Sequence, residues 1–214
     1  KNILITDSID YAKTIQDAVL PTIKKVRDLH PESFVLYKPK AIVSGDFYWI
    51  NVINNQLICA VADCKGNGVP GAFMSLLGYN MLENVIKQKN TPVPSIILKD
   101  LNEEVITRLL SNNPERKGKY GMDISLISID KKNDQLQYAG AHNSIYIVRN
   151  LQLIELKADK KAVGSNETQG QNLFTNQIIE LRGDDMIYLF TDGFPDQIGG
   201  LECKKFYYQF FKDL

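Results

Sequence analysis

Cysteine and histidine are scarce in this sequence, and neither is grouped. The three cysteines, Cys59, Cys64 and Cys203, are an odd number without Cys-x-x-Cys spacing. We therefore expect neither a disulfide framework nor a zinc site built on thiolates, and a reducing cytoplasm suits such a chain. The two histidines, His30 and His142, are too far apart in sequence to be a local pair of metal ligands.

The chain also lacks net charge and long apolar runs. Its 25 lysines and arginines balance 25 aspartates and glutamates, so no overall charge attracts it to nucleic acid or to an anionic membrane. No apolar run approaches the ~20 residues that cross a bilayer, and the N-terminus does not have the pattern of a secretion signal. We expect contact with neither nucleic acid nor membrane, and a cytoplasmic location.

The hydrophobic content is sufficient for one substantial domain. The chain has 214 residues, of which 44% are hydrophobic, enough to bury a sizeable core. We divide it into a connector helix at residues 1–21 and a single domain at residues 22–214.

A strand, an acidic residue and a glycine turn follow one another in the segment at residues 57–77. An apolar, strand-like run ends in Asp63, a glycine turn follows at residues 65–68, and Pro70 stands where a first helical residue is favoured. A single aspartate in this position commonly caps a helix or forms an Asx turn. One such residue therefore carries little functional information.

The same pattern recurs twice elsewhere in the chain. Asp46 follows Gly45 at the head of an aromatic strand, and Asp192 precedes Gly193 at the end of an apolar one. Asn54 and Asn55 form a good hairpin turn between the strand that begins after Asp46 and the strand that ends at Asp63. Antiparallel pairing would therefore bring Asp46 and Asp63 together.

The remaining periodicities predict an α+β fold in which two antiparallel sheets pack face to face with helices outside. We expect helices at residues 3–20, from Pro70 to about residue 87, after Pro94, and from residue 206; strands at residues 33–38, 47–53, 57–62, 123–129, 135–139, 144–148, 151–156, 174–181 and 185–190; and polar loops at residues 111–120 and 164–172. The helix that begins at Pro70 is expected to bury Phe73, Leu76, Leu77, Met81 and Val85.

The first helix has an apolar seam at helical spacing. Its members are Ile5, Ile9, Ala12 and Val19, with the polar Gln16 in the remaining position. Two interpretations stay open: the helix packs on its own domain, or it forms a homodimer through residues 3–20 and links to an upstream module. If it packs beside the helix that follows Asp63, a movement of the pair would reposition the acidic residues.

Aspartates that converge without thiols or paired histidines suit hard divalent cations such as Mg²⁺ or Mn²⁺. Two such ions can share a carboxylate, hold a phosphate and activate a water, so metal-assisted phosphoester hydrolysis is the natural chemistry. Asp63 is the best candidate for the shared ligand. His142 is either a satisfied turn histidine or a residue that reaches this site, and the sequence leaves both open.

Five motifs occur in the order and approximate spacing of one known family. The chain resembles the SpoIIE/RsbU-like branch of the PPM, or type 2C, protein phosphatases over nearly its whole length. The motifs are VSGDFYW (residues 43–49), ADCKGNGVPGAFMS (62–75), GMDISL (121–126), YAGAHNSIY (138–146) and YLFTDG (188–193). Residues 7–21 also resemble the connector helix that precedes such domains in bacterial signalling proteins.

The resemblance implies a β-sandwich flanked by helices and a centre of two Mn²⁺ or Mg²⁺ ions. By position, Asp46 resembles the ligand of one ion, Asp63 the ligand shared by both, and Asp192 a ligand of the other, while Cys64 would contribute its main-chain carbonyl. These three aspartates would then be the catalytic residues, acting through the bound ions. The implied partners are a phosphorylated protein substrate, in bacteria often a small anti-sigma-antagonist (STAS) protein, and an upstream sensor module.

Two departures from the family pattern affect function. Asn67 stands where the family usually has histidine in its glycine turn, and an amide cannot donate and recover a proton as imidazole can. The family also has a further aspartate ligand on a final strand, which would lie beyond Leu214, so we expect the domain to lack its last strand. The leading hypothesis is a serine/threonine phosphatase; the alternatives are a catalytically impaired module that binds a partner, and a dimerisation fragment.

Overall fold

The computed structural model describes residues 2–110, 120–165, 174–199 and 204–212 of the chain. The helices are α1 (Asn2–Val19), α2 (Ile23–Leu29), α3 (Val69–Lys89), α4 (Pro94–Val105), which a π-helical segment (Ile106–Leu110) continues, and α5 (Tyr207–Lys212). The strands are β1 (Asp46–Ile53), β2 (Gln56–Cys64), β3 (Met122–Asp130), β4 (Gln135–Ala141), β5 (Ile145–Arg149), β6 (Gln152–Leu156), β7 (Gln177–Glu180), β8 (Met186–Leu189), β9 (Ile198–Gly199) and β10 (Lys204–Lys205). Cys203 and most of the two predicted polar loops lie outside the described residues.

Two antiparallel sheets form the body of the domain. One has five strands in the order β1-β2-β3-β4-β7, and the other has three in the order β6-β5-β8. A shared apolar core joins them, and its buried members include Ile50, Leu57, Ile127, Leu136 and Ile145. On its other face the five-stranded sheet packs against α3 and α4. The predicted α+β sandwich flanked by helices is confirmed.

The buried side of α3 differs from the predicted one. Met81 and Val85 are buried as expected, but Phe73 is 63% exposed and Leu77 is 41% exposed. Gly78 instead lies on the sheet, where an added Cβ would be 2.8 Å from Met122 Cε and 3.2 Å from Phe47 Cε1, so the helix backbone packs directly on side chains of the strands. The face of α3 that carries Gly78 therefore contacts the sheet, and Phe73 lies outside this contact.

The strand predicted at residues 33–38 is wrong, because this segment joins no sheet. Its alternating pattern arises from side-chain packing instead of strand pairing. Tyr37 packs edge-on against Tyr48 of β1 and donates its hydroxyl to the Asp46 carbonyl at 3.1 Å. Phe34 and Leu36 point the other way and are 67% and 63% exposed.

Helix α1 packs on its own domain along most of the predicted seam. Gln16 is 3% exposed and contacts the segment that precedes β1, whereas Ile5 is 60% exposed. Other large apolar residues of α1, Leu4, Tyr11 and Ile15, also face outward. No helix in the described part of the chain combines the length and the apolar character needed to cross a membrane.

Candidate active site

The hairpin of β1 and β2 brings two of the predicted aspartates together. Asn54 and Asn55 both have positive φ, 49° and 61°, which suits the tight turn between right-twisted strands. From this turn the pairing runs without a break to the far end, where Asp46 lies opposite Asp63. The predicted meeting of these two strand ends is confirmed.

The row of acidic residues continues onto the third strand. Asp123, at the start of β3, lies directly opposite Asp63 across the β2–β3 ladder. His142 follows β4, and its Nδ1 lies 3.0 Å from Asp123 Oδ1. The end of the sheet therefore presents Asp46, Asp63, Asp123 and His142 on successive strands.

Sequence reasoning missed the contact between Asp123 and His142. The sequence separates β2 from β3 by two helices, so no local turn fixes the register that places Asp123 beside Asp63. The one available signal was His142 in a glycine-containing turn, which left open whether the ring reached the site.

Asp192 joins this cluster from the small sheet. It lies just after β8, next to Thr191, whose hydroxyl donates to Asp46 Oδ2 at 3.0 Å. An added Cβ on Gly193 would lie 3.9 Å from the same oxygen, which shows how closely this loop approaches β1. The three aspartates predicted as ligands therefore lie at one site between the sheets.

Burial and mutual repulsion raise the pKa values of these carboxyl groups. Burial, followed by the charges of Asp46 and Asp192, raises the pKa of Asp63 to about 8. Burial also raises the pKa of Asp46, while hydrogen bonds from Thr191 and Asp63 oppose that shift. The pKa of Asp192 is raised by partial burial and then by Asp196 and Asp46. An added positive charge at this site would relieve the repulsion.

Cys64 can offer only its carbonyl oxygen to an ion. Its side chain is 2% exposed, and burial raises the pKa of the thiol well above its usual value, so the sulfur stays protonated in the core. A Cβ added to Gly45 would lie 2.9 Å from the Cys64 oxygen and 3.8 Å from Asp63 Oδ1. Glycine at position 45 therefore keeps the space beside this carbonyl open.

The donor set fits a hard divalent cation, because every group is an oxygen. It is not a closed cage: among the described residues, no three histidine, cysteine, aspartate or glutamate side chains are arranged to hold an ion by themselves. Ions bound here would keep several water ligands, as Mg²⁺ commonly does.

The glycine turn between β2 and α3 lies beside this cluster. Gly66 and Gly68 have φ of 123° and 64°, which explains why glycine is required at both positions. Asn67 lies between them and is exposed. The position that the resemblance assigns to histidine is therefore open to solvent and carries an amide.

Comparisons with known proteins agree with this architecture. The family model for stage II sporulation protein E (SpoIIE) matches residues 54–205. Phosphoserine phosphatase RsbU of Bacillus subtilis (strain 168) is 26% identical over 193 residues, which cover 88% of this chain and 53% of RsbU. The chain thus spans about half the length of this curated relative.

Solved structures show the same fold. The SiaA PP2C domain of Pseudomonas aeruginosa is 32% identical, with a TM-score of 0.84 over 99% of this chain and 81% of that one. The catalytic domain of PstP, a Mycobacterium tuberculosis serine/threonine phosphatase solved with two manganese ions, is similar in fold alone: it is 16% identical, with a TM-score of 0.53 over 76% of this chain and 74% of that one. The resemblance seen in the sequence motifs is confirmed, and the chain belongs to the SpoIIE family, in the RsbU-like branch of the PPM, or type 2C, phosphatases.

Proposed function

We propose that this chain is a metal-dependent phosphoprotein phosphatase domain that hydrolyses phosphoserine and phosphothreonine. The observation that carries the proposal is the row of carboxylates on Asp46, Asp63 and Asp192 at the mouth of a type 2C β-sandwich. Family membership supports the reaction class, and the oxygen-only donor set supports a hard divalent cation.

Each candidate ligand has a distinct place in the proposed centre. Asp46 would hold one Mn²⁺ or Mg²⁺ ion, Asp63 would be shared by both, and the Cys64 carbonyl and Asp192 would complete the set. Two ions held in this way would supply charge to stabilise the phosphoryl group and to lower the pKa of the attacking water. The manganese-bound PstP structure supports this choice of cofactor.

The surrounding residues orient these carboxylates. Thr191 donates to Asp46 Oδ2 at 3.0 Å, and Ser44 Oγ accepts from the Asp46 main-chain N–H at 3.0 Å. Both contacts restrict Asp46 before any ligand arrives, which reduces the ordering needed on binding. Their role is to position the carboxylate.

The relatives support a proposal for the substrate and the cellular context. RsbU is named a phosphoserine phosphatase, which supports a phosphorylated protein as substrate, and a STAS anti-sigma-antagonist is the specific candidate. We further propose that the domain is the cytoplasmic output of a bacterial signalling protein with an upstream sensor module. A second copy bound through the outward face of α1 is a further proposed partner, which sedimentation of the protein with and without residues 1–21 would test.

The direct test is phosphate release from a phosphoserine peptide by the full-length protein. We expect release that requires Mn²⁺ or Mg²⁺ and stops with a chelator, because the carboxylates alone cannot neutralise a phosphate dianion. Absence of release at saturating metal would contradict the proposal. If a phosphorylated partner still bound tightly, that result would favour the catalytically impaired binding module, which Asn67 motivates.

A further inference from the structure

The pair formed by Asp123 and His142 extends the carboxylate row and is not used by the proposed metal centre. Asp123 is the direct cross-strand neighbour of Asp63, and His142 Nδ1 lies 3.0 Å from Asp123 Oδ1. The imidazole is 44% exposed, so the ring is accessible from solvent at this end of the sheet. It is thus the one imidazole on this end of the sheet within the described part of the chain.

The turn that carries His142 is held in a strained and fixed conformation. His142 has φ of 57°, a left-handed value that is uncommon for a residue with a side chain. Its N–H donates to the Asp159 carbonyl at 2.9 Å, and the Tyr138 hydroxyl donates to the Asn143 carbonyl at 2.7 Å. Strain of this kind persists where surrounding contacts enforce it, and it occurs often at functional sites.

The Asp123 contact also fixes the direction of the ring. When Nδ1 donates to the Asp123 carboxylate, Nε2 is left on the opposite side of the imidazole to exchange a proton with another group. A carboxylate bound to the far nitrogen orients the ring.

The proposed reaction needs a proton donor that the glycine turn does not provide. Cleavage of a phosphoserine ester leaves an alkoxide, a strong base that must be protonated as it departs. Asn67 occupies the exposed position in the glycine turn, and its amide is not an acid near neutral pH. Among the described residues at this end of the sheet, His142 carries an imidazole, which suits this role.

We propose, on the basis of the phosphatase function above, that His142 is the catalytic acid that protonates the leaving serine or threonine oxygen, and that Asp123 is its positioning residue. As the water oxygen bonds to phosphorus, the phosphorus–oxygen bond to serine breaks and its electron pair stays on the serine oxygen. That oxygen takes the proton from Nε2. The water's lost proton passes to solvent, and solvent returns one to the neutral imidazole.

Dependence on the leaving group tests this role. In the full-length protein with Mn²⁺, we expect His142→Asn to lower kcat for a phosphoserine peptide about 100-fold and kcat for p-nitrophenyl phosphate by no more than about threefold, because p-nitrophenolate departs without a proton. Asparagine keeps the left-handed turn, since it adopts positive φ more readily than most residues. His30→Asn, a change in the other histidine of the chain, should leave both rates unchanged.

A second pair of variants separates proton donation from structural damage. Asn67→His, added to His142→Asn, should restore part of the phosphoserine rate by supplying an imidazole from the glycine turn. Asp123→Asn should lower kcat for phosphoserine with little change in KM and with unchanged Mn²⁺ affinity.

Three results would overturn the proposal. Equal losses on both substrates in His142→Asn would show a structural or ion-binding role, and unchanged rates would show no role. Wild-type protein that released phosphate from neither substrate would refute the phosphatase function itself, which is a different and recognisable failure.

Discussion

At the scale of single residues, Asp63 is where burial and negative charge combine. It lies between Asp46 and Asp123 on neighbouring strands, and burial and its acidic neighbours together raise its pKa to about 8. A carboxyl group in such a position is destabilised when it ionises unless a cation compensates. A bound cation would offset this repulsion, as in the proposed metal centre.

This perturbed carboxyl group predicts how the stability of the metal-free protein depends on pH. The folded pKa of Asp63, about 8, lies above its ordinary value of 3.8, so the folded state binds more protons than the unfolded state between these values. The stabilisation that this extra proton gives the folded state is fully present below pH 3.8. It is lost as the pH rises through about 8. We expect the free energy of unfolding, measured with urea in a chelator, to fall from about pH 5 to about pH 8.

Two comparisons check that prediction. The Asp63→Asn variant should show a flatter pH dependence, and Mn²⁺ should restore stability to the wild type at the upper end of the range. Parallel pH profiles for wild type and variant would contradict the assignment of the perturbed group.

Sequence distance decides which site residues could be predicted. The pairing of Asp46 with Asp63 follows from the two-residue turn at Asn54 and Asn55, so the pattern alone was sufficient. The contact of Asp123 with His142 depends on a register set by packing across two helices, and no local residue encodes it.

At the scale of secondary-structure elements, α1 is tied to the strand that carries Asp46. Gln16 Nε2 donates to the Ser44 carbonyl at 2.7 Å and to Ser75 Oγ of α3 at 2.8 Å, and Gln16 Oε1 accepts from the Ser44 N–H at 3.0 Å. Ser44 Oγ in turn accepts from the Asp46 N–H. A short hydrogen-bonded path therefore joins α1 to a proposed metal ligand.

This path predicts the effect of Gln16→Ala. The substitution leaves the half-buried Ser44 N–H without its Gln16 partner, while the Ser44 carbonyl still accepts from Ser75 Oγ at 3.2 Å, so we expect the free energy of unfolding to fall by about 1–3 kcal/mol. We also expect a lower apparent affinity for Mn²⁺, because Ser44 would no longer hold Asp46 as firmly. Urea unfolding and metal titration measure the two effects.

Lys13→Ala is the matched control, since Lys13 is exposed on the same helix. If Gln16→Ala behaved like this control in both measurements, α1 would have no influence on the site. The regulatory interpretation of the connector helix would then fail.

Two predictions about secondary-structure elements were wrong because tertiary packing, which the local sequence does not reveal, decided the outcome. The apolar spacing in α3 located the helix correctly, but the face that carries Gly78 packs on the sheet and Phe73 lies outside the core. The alternation at residues 33–38 was real, yet it reflects the packing of Tyr37 on Tyr48 without a strand partner. Periodicity identifies which residues share a face but not what that face contacts.

At the scale of the whole molecule, the sandwich places loops from both sheets at one end. The large sheet contributes Asp46 and Asp63, and the small sheet contributes Asp192 through the loop after β8. The sequence predicted the sandwich because most strands are short, separated by turn residues and antiparallel to their chain neighbours. The recurring aspartate–glycine pattern suggested that Asp192 joins the other two aspartates, but its contact region with β1 depends on how the two sheets pack, because no local pattern connects β8 to β1.

The most direct test of the central claim is the rate of phosphate release from p-nitrophenyl phosphate as a function of Mn²⁺ concentration, compared between wild type and Asp63→Asn. Asp134→Asn is the matched control: it makes the same chemical change at the opposite end of the sheet, in a turn where φ of 48° suits asparagine. We predict release that saturates with Mn²⁺ in wild type and control and falls to background in Asp63→Asn. A Mn²⁺ dependence in Asp63→Asn that matches the wild type would contradict the proposed metal centre.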